Sequence, residues 1–503
     1  MHFICYDFET TGRNSNWDQI IQVGAVLTNE TLDEIDFFEI SCSLKPGTIP
    51  EPEALMVNET IPRDDGNISH YSLVKLMWQK FTNWVNAYNP IAFIGYNSVN
   101  FDEEFLGRTL YKNLFPPFLT TTHTFGVPSK RGDIINLARM ANVFSPGTLK
   151  TTFNEKGREV YKLDQLAIDN IALDSGKELK FHDALDDARA TIEIAKIIKT
   201  KAPDLWSSGL KTMTKNGVVE FINKEEFFIS SEFYFGTSRN YVVTQLCDDP
   251  KGPFKVFDLR NDPSQFVGLQ YEELKKIIRE TKPKVIRSIY KQKHPILMPK
   301  EFIKSVEGYS QINYEELKRR AQVIRENVEI NSQFRRLIFE EIEKENDKRE
   351  LDQSDKEPEE CIYNFGFASI EEKKLMMEFH ECDWQRKLEI ADEFQNLRKN
   401  DYQASQRGRI YSEFAKLIVY EESSESLSEP EKQKIRKKLA DRIFYEDTGN
   451  AKSPWNNIER AYMQIQVLGN KFEDQGQSQQ YKLLKKIEQL VENIENGFLD
   501  LKS

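Results

Sequence analysis

Phe3-Ile4-Cys5-Tyr6-Asp7-Phe8-Glu9-Thr10-Thr11-Gly12 heads the chain, an apolar run that ends in two carboxylates two positions apart. The apolar residues predict a strand, and residues two apart on a strand point to the same face. Asp7 and Glu9 therefore project together from the end of a hydrophobic strand, where their mutual repulsion is unfavourable. A divalent cation between them removes that repulsion. Thr10, Thr11 and Gly12 follow with hydroxyls and amides close to the pair. By itself Asp-x-Glu equally suits a β-turn with incidental acids.

Outward from this strand the pattern is mixed α/β. Residues 20–28 and 37–43 predict two more strands joined by short Asn/Asp turns, as in an antiparallel meander. Residues 91–95 form a short apolar run between Pro90 and Asn97, suited to a buried strand. Helical spacing occupies 102–111, 134–144, 163–170 and 183–199, with Pro203 closing the last. From about residue 207 the texture changes to short β-rich segments at 218–228, 232–235, 241–246 and 253–259, interrupted by a helix at 271–280. The charged stretch 341–360 reads as a solvated helix end running into a linker. Beyond Cys361 the chain reads as helical, with 421–431 a polar loop.

Length and charge bound the answer. At ~150 residues per domain, 503 residues predict about three domains. The net charge of -12 excludes a protein that coats nucleic acid through bulk positive charge, but not a local basic groove. Residues 204–350 are slightly basic while both flanks are acidic, and 275–304 carries ten basic residues against Glu280 and Glu301. Tyr290 lies in that stretch, available for base stacking, although a solubilising surface has the same composition. Five scattered cysteines form no CxxC pair, which predicts a reduced, cytoplasmic protein. Asp7 comes too early for a signal peptide, and no apolar stretch approaches the ~18 residues of a membrane span.

Two further motifs carry chemistry. Asp102 follows the turn Gly95-Tyr96-Asn97-Ser98-Val99-Asn100-Phe101 and opens a helix, where alone it would serve the helix dipole. His182-Asp183-Ala184-Leu185-Asp186-Asp187 introduces the long helix, so that His182 and Asp187 both approach one site near its first turns. A neutral imidazole suits proton acceptance and a carboxylate suits a metal. Asp183 and Asp186 read as acids of the helix start.

Taken in order, Asp-x-Glu, Asp and His-x4-Asp resemble the histidine variant of the DEDD family of 3'→5' exonucleases, whose catalytic domain has an RNase H-like fold. The resemblance implies that Asp7, Glu9, Asp102 and Asp187 hold two Mg²⁺ ions, with Mn²⁺ able to substitute, and that His182 is the general base. It further implies strand contacts from Glu9, Thr10, Thr11, Phe101, Arg108, Arg139 and Lys162. Lys162 stands where the family has an Arg, which keeps the charge but loses a bidentate phosphate grip.

The segments Gly95 to Glu104, Tyr161 to Leu166, Tyr234-Phe235-Gly236 and Ile362 to Phe367 are similar to the long members of this family, which act on single-stranded DNA. That similarity implies a multidomain protein: an α/β RNase H-like exonuclease domain at 1–204, a β-rich Src-homology-3-like barrel with helical insertions at 205–350, and an all-α domain at 351–503 closing the DNA groove. It implies single-stranded DNA as substrate, degraded to 5'-mononucleotides in repair or recombination. As partner it implies the C-terminal tail of single-strand DNA-binding protein, with no membrane and a monomeric state. One departure is local. Leu417-Ile418-Val419-Tyr420-Glu421-Glu422 stands where the family tends to be basic and aromatic, so strand contact there is not expected. An exoribonuclease and a catalytically silent nucleic-acid-binding scaffold are the competing readings.

Overall fold

Strand β1 (His2–Thr10) is the centre of a five-stranded sheet of order β3-β2-β1-β4-β5. The computed structural model describes residues 1–502 apart from 63–67, 122–129, 173–181, 250–251, 310, 352–355, 398–399, 449–451 and 475–477. β2 (Ile20–Thr28) and β3 (Glu34–Ser41) continue antiparallel from β1, whereas β4 (Ile91–Gly95) and β5 (Lys130–Asp133) run parallel to it. The turn from β2 to β3 closes on the side chain of Asn29, which accepts from the backbone N–H groups of Thr31 and Asp33 at 2.9 Å each. Every residue of β2 is buried, because helices cover both faces of the sheet.

The helices of this first region are α1 (Pro52–Asn58), α2 (His70–Ala87), α3 (Asp102–Lys112), α4 (Ile134–Phe144), α5 (Leu163–Ala167) and α6 (Ala184–Lys201). α2 packs Val74, Met77 and Phe81 against Val23 and Ala25, while α6 packs Leu185 and Ala188 against Cys5 and Val26. The helix expected at 163–170 starts as α5 and then widens into a π-helical turn, Ile168–Ala172.

Helices α7 (Pro203–Lys211) and α8 (Lys215–Lys224) lead into the middle region. The strand expected at 218–228 is therefore mostly helix. Thr214 caps it by accepting from Gly217 N–H at 3.0 Å, and Val218, Phe221 and Ile222 fall on one helical face. Strands β6 (Phe228–Tyr234), β7 (Thr237–Cys247), β8 (Phe254–Asp258), β9 (Ile286–Ile289) and β10 (Ile296–Met298) form an antiparallel sheet of order β10-β6-β7-β8-β9. α8 covers one face of it. The other face packs Phe257 and Val242 against α10 (Tyr314–Glu326) and α11 (Val328–Leu351), with α9 (Tyr271–Glu280) between β8 and β9 in sequence.

From Ile370 onward come α12 (Ile370–Glu381), α13 (Trp384–Asn396), α14 (Tyr402–Glu422), α15 (Glu429–Ile443), α16 (Ile458–Asp474) and α17 (Ser478–Asn496). The polar run 421–431 takes in the end of α14, a non-α connection at 423–428 that holds one 3₁₀ turn at Ser424–Ser426, and the start of α15. The hydrophobic cores cross between regions. Phe3 and Ile94 of the first sheet belong to one cluster with Phe257 and Phe334, and Phe93 and Phe105 to another with Phe394 and Phe414.

His294, between β9 and β10, pins the middle region to the first sheet. Its Nδ1 accepts from the Asp133 backbone N–H at 2.8 Å, and its Nε2 lies 3.0 Å from the Gly209 carbonyl. The first bond requires an unprotonated Nδ1, so the ring is neutral, and burial pushes its pKa down to about 4. The stability it lends is complete above the unfolded-state value near 6.5 and is lost as pH falls toward about 4. Between pH 7.5 and pH 5 this group alone should weaken folding by ~2 kcal/mol. Urea unfolding of His294→Gln should show a correspondingly shallower acid loss than the wild type; parallel pH profiles would contradict the assignment.

Candidate active site

Asp7 and Glu9 stand on β1 opposite Gly24 and Gln22 of β2. Those two partners bring the third acid in. A Cβ at Gly24 would lie 2.1 Å from the Ala184 carbonyl carbon and the Leu185 nitrogen, so only glycine lets the first turn of α6 rest on β2. The Gln22 amide then clasps that turn, donating to Asp183 Oδ2 at 3.1 Å and accepting from Ala184 N–H at 3.4 Å. Asp183 caps α6 by accepting from Asp186 N–H at 3.3 Å. One turn on, Asp187 faces the strand pair. One carboxylate oxygen each from Asp7, Glu9 and Asp187 lie within 4.8 Å of one another.

Asp102 arrives from β4. The turn before it is tied down by buried Asp133, whose carboxylate accepts from Asn97 N–H at 2.8 Å and Val99 N–H at 3.1 Å. Asn97 takes φ 62°, a left-handed conformation that asparagine tolerates well. Asp102 is 2% exposed, and its Oδ1 is buried without a hydrogen-bond partner among the described residues. The Phe8 backbone N–H donates to the same carboxylate, placing it beside the strand that carries Asp7 and Glu9.

Without a cation this arrangement is electrostatically frustrated. Burial, reinforced by Asp187 and Asp183, pushes Glu9 up to about 8. Burial raises Asp187 to about 7, with Asp164, Asp183 and Asp186 adding to it and the His182 backbone N–H opposing. Asp7 and Asp102 are also driven well above the usual carboxylate range, first by burial. Crowded hard oxygen donors with one orphaned oxygen fit a divalent cation of the Mg²⁺ or Mn²⁺ class.

His182 occupies the turn entering α6 at φ 62°, with an exposed side chain. It lines a cleft of about 510 Å³ with Asp187, Arg139, Lys162, Asp164 and Phe233. Of the expected strand contacts, Arg139 and Lys162 therefore share the cleft with His182 and Asp187. Others are engaged elsewhere. Thr10 and Thr11 are buried and their hydroxyls are used within the loop, donating to the Gly12 carbonyl at 2.7 Å and to Asp18 Oδ1 at 3.1 Å. Arg108 pairs with Glu104 and Asn16 beneath the Tyr363 ring, tying α3 to the helical region. Phe101, half-buried, packs on Phe105 with ring centroids 4.9 Å apart.

The acidic 417–422 segment also has a structural job. Ile418 and Val419 are buried, and Glu421 accepts from Tyr71 N–H at 3.1 Å at the start of α2. Sequence reasoning missed Asp133, Gln22 and Asp164. For Asp133 a signal exists, since it immediately precedes a helical pattern as a cap residue does.

Relieving repulsion and binding metal should separate in Asp187→Asn. Metal-free, that variant should melt at or above the wild-type temperature. Wild type should gain ~2.7 kcal/mol at a hundredfold excess of Mg²⁺ or Mn²⁺ over Kd, a gain the variant should lack. An equal metal-induced rise in Tm in both proteins would remove Asp187 from the ligand set.

Residues 4–195 match the RNase_T family, described as Exonuclease. Over 393 residues the chain is 25% identical to exodeoxyribonuclease I of Buchnera aphidicola subsp. Acyrthosiphon pisum, covering 75% of this chain and 89% of that protein. The fold matches E. coli exonuclease I in complex with a dA16 oligonucleotide, with a TM-score of 0.74 at 18% identity over 98% of this chain and 99% of that one. It also matches exonuclease I from a structure of SSB/exonuclease I with the inhibitor CFAM, with a TM-score of 0.72 at 19% identity and the same coverage. The carboxylate-bearing sheet lies inside the segment matched to the exonuclease family, and the likeness to exodeoxyribonuclease I in sequence and to exonuclease I in fold extends into the middle and helical regions.

Proposed function

We propose that this protein is a metal-dependent 3'→5' exonuclease that degrades single-stranded DNA to 5'-mononucleotides. The meeting of Asp7, Glu9 and Asp187 within 4.8 Å, beside the orphaned oxygen of Asp102, carries the reading. In this reading the four carboxylates hold two Mg²⁺ ions, or Mn²⁺ in their place, which when bound supply charge neutralisation at the scissile phosphate and the departing 3' oxygen. His182 accepts the proton of the attacking water at the mouth of the cleft, its backbone N–H holding Asp187 in place. Arg139 and Lys162, which line the same cleft, bring positive charge to the strand's phosphates. Thr10 and Thr11 serve the strand end by shaping the loop behind Glu9.

The same reading divides the chain into a nuclease domain at 1–204, a β-rich domain at 205–350 and a helical domain at 351–503. It places the protein as a monomer in the cytoplasm, for which the five free cysteines suit a reducing compartment. For the acidic C-terminal tail of single-strand DNA-binding protein, the groove of about 790 Å³ between the first and middle regions is suitable. Arg158, Arg239 and Arg260 line it with Tyr234 and Tyr241.

With 5'-labelled single-stranded DNA and Mg²⁺, progressive shortening from the 3' end is expected. Asp187→Ala should abolish it, and His182→Ala should slow it by ~10²–10⁴-fold while metal still raises Tm. Full activity in Asp187→Ala would sink the site, and faster decay of the matching RNA would make the protein an exoribonuclease. A peptide ending in acidic and aromatic residues should bind wild type but not Arg239→Glu, as read by fluorescence anisotropy; equal binding by both would place the tail elsewhere.

A further inference from the structure

Among the described residues Arg139 is the one cation common to two adjoining clefts, and an aromatic ring from another region of the chain holds it there. Its guanidinium carbon lies 4.1 Å from the centre of the Phe233 ring. Phe233 is steadied in turn by an edge-on contact with Tyr161, centroids 5.8 Å apart. The backbone of Arg139 is gripped by the same hairpin, since Ser238 Oγ of β7 donates to its carbonyl at 2.8 Å. Among the described residues the Arg139 side chain has no ion pair and no hydrogen bond, and its Nε is buried without a partner. The buried Asp133 carboxylate acts on this half-buried guanidinium only through space, and its own oxygens are taken by backbone N–H groups, so the unpartnered donor is open to an anion from outside.

The geometry on either side says where that anion sits on a strand. Arg139 and Phe233 line the cleft that holds His182 and Asp187, and both also line a second cleft of about 480 Å³. That second cleft carries Lys284, Lys293 and Tyr290, whose ring is 57% exposed. Its acid, Glu232, is neutralised by Arg287 at 3.3 Å. A strand whose 3' end is at the carboxylates must leave the first cleft in its 5' direction, and the second cleft is the basic, aromatic exit.

We propose that Phe233 is a positioning residue, holding Arg139 over the backbone phosphate on the 5' side of the scissile linkage, at the point where the strand passes from the catalytic cleft into the Lys284–Tyr290–Lys293 cleft. This rests on the exonuclease reading. It makes the β6–β7 hairpin part of the nuclease site: the first region supplies the cation and the middle region aims it.

The test uses the full-length protein and a single-stranded oligonucleotide carrying one uncharged methylphosphonate, moved phosphate by phosphate from the 3' end. Binding is read by anisotropy without added metal, and hydrolysis in Mg²⁺. In wild type, neutralising one phosphate 5' of the scissile one should weaken binding and raise KM about tenfold, with a smaller effect on kcat. In Arg139→Gln that position should cease to matter, and the salt dependence of binding should fall by about 0.7 in log–log slope. Phe233→Leu should reproduce part of the loss and Phe233→Tyr should restore it, which a merely space-filling role would not require. If Arg139→Gln stays as sensitive as wild type at every phosphate, or Phe233→Leu binds as wild type does, the proposal is overturned. Wild type that binds with this phosphate pattern but never shortens the strand would overturn the nuclease reading and leave the Arg139 contact standing.

Discussion

Everything at the candidate site depends on how closely one helix approaches one strand. α6 rests on β2 at Gly24 with no room for even a methyl group, and Gly24 is the residue opposite Asp7. Move α6 outward by the width of a Cβ and Asp187 withdraws from Asp7 and Glu9. The backbone contact is therefore the ruler that sets carboxylate spacing, and Gln22 locks it with two hydrogen bonds to the helix start. Bringing buried acids together is unfavourable, as their raised pKa values register. The sheet tolerates it because β1 and β2 are fixed by buried cores on both faces.

A second constraint works the same way on the other side of the site. Asp133 holds the turn that presents Asp102, and His294 reaches from the middle region to the backbone of Asp133. The position of the fourth carboxylate thus depends on residues ~30 and ~190 positions further along the chain. The Phe233–Arg139 contact repeats the pattern. At both places, parts remote in sequence finish a site whose acids all lie in the first two hundred residues.

Much of this was legible beforehand, for definable reasons. Strands 20–28 and 91–95 announce themselves as apolar runs, and helices 102–111 and 134–144 by clean spacing. The acids were legible because like charges at the end of a strand demand an explanation. β5 escaped because its sequence, Lys-Arg-Gly-Asp, has no apolar signal and pairs only because β4 offers an edge. Residues 218–228 misled because Val218, Val219, Phe221 and Ile222 have strand-like side chains, while their i, i+3, i+4 placement packs as a helix. The internal bonds of Thr10, Thr11 and Arg108 were hidden for another reason. A polar side chain shows in sequence that it can bond, but only packing shows which partner its own fold supplies.

The shared cores have a consequence for how such a chain changes over time. Because Phe3 and Ile94 pack in one cluster with Phe257 and Phe334, the seam between regions is made of interior, not of surface. Residues on either side of it cannot vary independently, since a lost methylene on one side opens a void felt on the other. Exposed positions carry no such bond to their neighbours. A fold of this kind can therefore be built from largely different amino acids, and the same shape recurs at 18% identity across 98% of the chain. What persists is a set of distances.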